Sequence, residues 1–115
     1  QKEKLNQSFD VMMGFIKAAH DKGVSIRIGT DCWYGGRALL SELQLLLDAG
    51  FSMEDVLQIA TWNGAKALGV EQQIGRLDAG MRADVILFEQ SPFDSADGLF
   101  GEKDIFKNGK LFISD

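Results

Sequence analysis

An α/β fold, helical over residues 1–70 and strand-rich over 71–115, is what the sequence predicts. Three observations carry that expectation. Leu5, Phe9, Met12, Ile16 and Ala19 recur every three or four positions and so share one helical face. After Gly23 the chain changes period: Val24, Ile26 and Ile28 alternate with Ser25, Arg27 and Gly29, as in a strand. Near the other end, Asn108-Gly109 stands between short apolar pairs, the strongest short-range hairpin signal, because both central residues accept positive φ.

The elements follow in order. Residues 3–22 read as a helix stopped by Gly23, and 24–30 as a strand, so the opening is half of a βαβ repeat. Asp31 to Gly36 is a loop punctuated by two glycines. Residues 37–49 make a second helix, with Leu39, Leu40, Leu43, Leu46 and Leu47 on a broad stripe ended by Gly50. Ser52 is placed as an N-cap with Asp55 at the third helical position, and Phe51 and Val56 as the accompanying hydrophobic staple. A third helix runs from there to about Leu68. Beyond Gly69, Ile74 to Leu77 is a short strand candidate and Asp78-Ala79-Gly80 a turn. Ala83 to Glu89 is a stronger strand, residues 90–103 a polar surface loop, and Ile105-Phe106 and Leu111-Phe112-Ile113 flank the hairpin turn.

Composition narrows the function. The 115 residues are 45% apolar and 25% charged, ordinary for one soluble domain. The net charge of −5 and the scattered lysines and arginines argue against nucleic acid as a partner. No apolar run approaches the ~20 residues that span a bilayer, and no secretory signal opens the chain. The single cysteine, Cys32, cannot close an internal disulfide, so a reducing, cytoplasmic setting is expected. The chain starts at Gln1, already inside a helical pattern, which hints at sequence upstream.

The residue placed for chemistry is Asp31, which follows directly on the end of strand 24–30. Ligands and catalytic groups gather at that edge of parallel α/β folds. Ser25, Arg27, Gly29 and Asp31 share one strand face and the apolar residues the other. That is the pattern of a barrel strand whose polar face meets a lumen. Spacing alone favours a loop or helix-cap aspartate, since one carboxylate at a strand end is a weak signal.

The ordered series Gly29-Thr30-Asp31, Ser41-Glu42-Leu43, Ala49-Gly50-Phe51-Ser52, Ala60-Thr61-Trp62-Asn63-Gly64-Ala65, Leu68-Gly69, Ile74-Gly75 and Gly80-Met81-Arg82-Ala83-Asp84-Val85-Ile86-Leu87 resembles the C-terminal part of the amidohydrolase superfamily, closest to its imidazolonepropionase-like and prolidase-like branch. The likeness covers about residues 10–113. It implies that the chain is a C-terminal fragment of a (β/α)8 TIM barrel, with 24–30 as the last barrel strand in a part spanning 1–70. It further implies that 71–115 contributes strands to a small composite β-sandwich. The implied activity is hydrolysis of amide or cyclic amide C–N bonds by a metal-activated water. The implied cofactor is a divalent metal, zinc above all, with Asp31 as metal ligand and proton acceptor.

The departures are as informative. The family's other ligands are a His-x-His pair and further histidines on other strands, whereas this chain has one histidine, His20, read as an end-of-helix residue. A catalytic zinc takes about three protein ligands, so the segment alone is expected to be inactive and to lose the metal. A His-x-His is expected upstream in the full reading frame. Trp33, Tyr34 and Arg37 are candidates for a substrate pocket. Cys32 has no histidine at hand to make it a nucleophile. Arg27, about 13 Å below Asp31 at ~3.3 Å per residue, is either buried against absent strands or solvated. Asp84 is expected to hydrogen-bond locally at a strand start. The competing reading is a non-catalytic α/β binding or assembly module. A phospho-acceptor role for Asp31 lacks the neighbouring acidic groups and lysine it needs. A last barrel strand without neighbours exposes both edges, so self-association or a rearranged sheet is expected.

Overall fold

The computed structural model describes residues 2–112. Its order is α1 (Lys2–Asp21), α2 (Gly35–Asp48), α3 (Met53–Ala60), α4 (Trp62–Leu68), β1 (Val85–Phe88), a 3₁₀ turn (Ala96–Leu99), β2 (Lys103–Lys107) and β3 (Lys110–Phe112). Contacts part the chain into two compact units, 1–60 and 61–115, so the break falls ahead of α4 rather than at the change of sequence character near residue 70.

In the first unit, α2 packs on α3, and Leu43, Leu46, Phe51, Val56 and Ile59 are buried. Local chemistry sets the ends of these helices. Gly50, at φ +89, closes α2: its N–H reaches Leu47 O at 2.9 Å and the Phe51 N–H reaches Leu46 O at 3.1 Å, the paired bonds of a Schellman ending. The same pair closes α1, with Gly23 N–H on His20 O at 2.8 Å and Val24 N–H on Ala19 O at 3.0 Å. Ser52 caps α3 as expected, its Oγ accepting from the Asp55 N–H at 3.1 Å, a contact worth about 1 kcal/mol. Both members of the expected staple, Phe51 and Val56, are buried.

The expected barrel strand 24–30 is not a strand here. The segment leaves α1 and runs to Asp31 without pairing to another strand. The reason is physical: a strand exists through its neighbours' hydrogen bonds, and the sheet found among the described residues is the antiparallel one at 85–112. The alternation itself survives in part, since Ile26, Ile28 and Thr30 are half-covered while Ser25, Arg27, Gly29 and Asp31 are exposed. Arg27 is therefore solvated.

The third helix divides at Thr61, whose φ −125 and ψ −78 are not helical. In the second unit, residues 74–77 form bends rather than a strand, and Gly75 explains why. A Cβ on it would lie 2.7 Å from Ala65 Cβ, so the chain folds back closely onto α4 at this point. The 78–80 turn forms, with Met81 N–H on Asp78 O at 3.2 Å. The sheet has the order β1-β2-β3, with Val85 opposite Phe106 and Phe106 opposite Leu111. Asn108 and Gly109 turn the hairpin at φ +51 and +75, as the sequence predicts. Ile113, expected in that hairpin, lies outside the described residues. The stretch 90–103 is not simply surface loop: Pro92, Gly98 and Leu99 are buried, the last two in the 3₁₀ turn. No helix among the described residues is long and apolar enough to cross a membrane.

Candidate active site

The candidate residues lie on one connection, between the end of segment 24–30 and the first turn of α2. Asp31 adopts a left-handed backbone, φ +41, and its side chain is exposed. Non-glycine residues seldom take positive φ, although aspartate does so more than most. Such a conformation is retained where surroundings or function demand it. The Asp31 carboxylate makes no hydrogen bond or ion pair with another described residue, so it is not spent on capping a turn.

Cys32 is exposed as a free thiol. Trp33 is 100% exposed and Tyr34 79%. Tyr34 takes the N-cap position of α2, where its side chain caps nothing, and its carbonyl accepts from the Ala38 N–H at 3.0 Å. Arg37 is exposed in the first turn, which holds no acidic residue to offset it at the positive end of the helix dipole. The connection thus carries one carboxylate, two aromatic rings and one guanidinium, all open to solvent. One groove runs along Leu87–Glu89 and Glu102–Asp104 and another along Phe9, Met13, Leu45 and Ala49, neither lined by these residues.

Three other polar groups have partners nearby. His20, 23% exposed, packs against Phe51 with the rings tilted at 57° and their centroids 5.0 Å apart, and its nitrogens lie 3.5 Å from Asp21 Oδ1 and 3.7 Å from Asp55 Oδ1. It joins the end of α1 to the start of α3. Lys17 binds Asp21 at 2.6 Å and, with His20, keeps that carboxyl below its usual range. Asp84 does the local work expected of it. Its Oδ2 accepts from Lys107 Nζ and Arg82 Nε, and its Oδ1 from the Asn108 N–H, each at 2.8 Å. Those donors, Lys107 foremost, hold the Asp84 carboxyl far below the ordinary carboxylate range.

A carboxylate oxygen suits a divalent cation, but a catalytic zinc takes about three protein ligands. Among the described residues no group of three His, Cys, Asp or Glu side chains is placed to share an ion. By themselves these residues therefore do not fit a metal centre.

A family model described as the amidohydrolase family matches residues 10–112. An imidazolonepropionase of Brevibacillus brevis is 30% identical over 103 residues, 83% of this chain and 24% of that protein. An ochratoxinase of Aspergillus niger is 32% identical over 115 residues, 95% of this chain and 24% of that protein. Among solved structures, a Xaa-Pro dipeptidase with methionine bound in its active site superposes with a TM-score of 0.77 at 26% identity, covering 91% of this chain and 25% of that one. The chain thus spans about a quarter of the length of the relatives it matches.

Proposed function

The chain belongs to the amidohydrolase family, and from that premise we propose that it is the C-terminal part of a metal-dependent hydrolase of C–N bonds in amides or cyclic amides. In this reading Asp31 Oδ takes a proton from the water that attacks the carbonyl carbon. It then hands that proton to the departing nitrogen as the C–N bond breaks. Trp33, Tyr34 and Arg37 border the substrate, the rings offering apolar surface and the guanidinium a cation for an acidic substituent.

The observation that carries the reading is the state of Asp31. Its carboxylate is exposed, held on a left-handed backbone and unpaired among the described residues, within the span 10–112 that the family model matches. The relatives' chemistry is in keeping, since a dipeptidase cuts a C–N bond. The complete enzyme would hold a divalent cation, zinc being the expected one, with Asp31 as one oxygen ligand and the remaining ligands outside this chain. The chain alone is not expected to keep the ion or to turn over substrate. When bound, such an ion polarises the substrate carbonyl and acidifies water. A cytoplasmic setting goes with the single thiol of Cys32.

A second reading, an assembly module, draws on a different observation. Leu5 is 66% and Phe15 72% exposed on α1, and the sheet has unpaired outer edges at β1 and β3 among the described residues. Apolar side chains and open edges of this kind drive copies of an isolated chain together. The two readings separate in one experiment. Asp31→Asn in the full-length protein abolishes amide hydrolysis if the first holds and leaves any activity untouched if only the second does.

A further inference from the structure

We propose that Asn108 is a deamidation site gated by the hairpin turn: stable while the turn is closed, and converted to aspartate or isoaspartate when it opens. The chemistry is that of an Asn-Gly pair. The Gly109 backbone nitrogen attacks Asn108 Cγ, forming a C–N bond and expelling the side-chain nitrogen as ammonia. The proton of the Gly109 N–H leaves with that ammonia, and the product is a cyclic imide. Water then opens the imide at either carbonyl. No oxidant or further reactant enters.

Both Asn-Gly pairs of the chain are placed by the fold. Asn63-Gly64 is half-covered within α4, whereas Asn108-Gly109 is exposed at a turn tip. In that turn the attacking nitrogen is engaged, since the Gly109 N–H donates to Ala83 O at 2.8 Å. The residue before it is pinned as well, its N–H donating to Asp84 Oδ1 at 2.8 Å while Lys107 Nζ holds Asp84 Oδ2 at 2.8 Å. With both N–H groups held in this way, the turn must open before the nitrogen is free to reach Cγ. Conversion then prevents clean reclosure. Isoaspartate adds a methylene to the backbone of a two-residue turn, and either product sets a second carboxylate beside Asp84.

The test is peptide mapping by mass spectrometry after storage of the 115-residue chain in mildly alkaline buffer, with and without concentrated urea, alongside Asp84→Ala. Asn108 conversion should be about ten-fold or more slower in the native chain than in urea, because opening must break two hydrogen bonds, Gly109 N–H to Ala83 O and Asn108 N–H to the Asp84 carboxylate. Asp84→Ala should convert at an intermediate rate. Equal rates in native buffer and urea overturn the proposal, as does an Asp84→Ala chain that keeps its circular dichroism yet converts no faster than the unsubstituted one. Should Asp84→Ala not fold, hydrogen exchange of the Gly109 amide in the unsubstituted chain decides. Protection supports the gate, and exchange at the random-coil rate removes it.

Discussion

Gly98→Ala is the sharpest test of how the strand-bearing unit is packed. A Cβ at this position would lie 2.6 Å from Gln90 O, 2.9 Å from Pro92 N and 3.0 Å from Pro92 Cα. Carbon contacts settle near 3.5 Å, so the backbone must yield by about 0.5–0.9 Å. The obstacles are main-chain atoms, and Pro92 is buried with its φ locked by the ring, so no flexible side chain can absorb the shift. Overpacking of this kind costs ~1–3 kcal/mol. Alanine recovers ~0.4–1 kcal/mol by restricting the unfolded chain, since Gly98 is not in the left-handed region. The net loss lies between about 0 and 2.6 kcal/mol, centred on ~1.3 kcal/mol, and that central value lowers the melting temperature of a small domain by roughly 5–10 °C. Thermal unfolding followed by circular dichroism measures it. Gly101→Ala is the control, because a Cβ there meets only Gly98 O at 3.7 Å and Asp97 O at 3.8 Å, ordinary contact distances. The packing argument fails if Gly98→Ala melts with the parent chain, or if the Gly101 control falls as far.

Asp84 is depressed in the folded state by Lys107, the Asn108 N–H and Arg82, so its contribution is complete above the unfolded carboxylate value of ~3.9 and is lost as pH falls towards the lower folded value. Asp84→Asn should therefore destabilise the chain at neutral pH and have little effect in strong acid; a pH-independent difference in urea midpoints would contradict the assignment. The isolated chain should run larger than a monomer in light scattering, and Phe15→Ser, which removes a 72% exposed ring, should shift it towards monomer; a monodisperse monomer before substitution would refute the self-association reading.

What the sequence made legible was whatever neighbouring residues decide among themselves. The apolar period and the glycine stops located α1 and α2 to within two residues, but not the break at Thr61 between α3 and α4. Ser52 announced its cap through Asp55, and Asn108-Gly109 announced the hairpin, because a two-residue turn with positive φ admits few other residues. Segment 24–30 failed as a strand because pairing depends on chain that is not adjacent to it, and alternation states only which side chains would be covered. The burial of Pro92, Gly98 and Leu99 was hidden behind a polar composition that usually marks surface. There the signal was the glycine itself, needed where the backbone approaches Gln90 and Pro92. The candidate site was legible as a position, Asp31 after an alternating run, and through the ordered family motifs. Its left-handed backbone was not, since nothing adjacent in sequence demands it.

The account rests on the Asp31 carboxylate as the proton acceptor of an amide hydrolase. The measurement that tests it most directly is kcat/KM for a panel of dipeptides, N-acyl amino acids and cyclic amides, taken on the full-length protein and on Asp31→Asn. The amide substitution preserves size and removes the basic oxygen. The account predicts a loss of ~10²–10⁴-fold carried in kcat, with the fold intact by circular dichroism. Activity within a few-fold of the parent would contradict it.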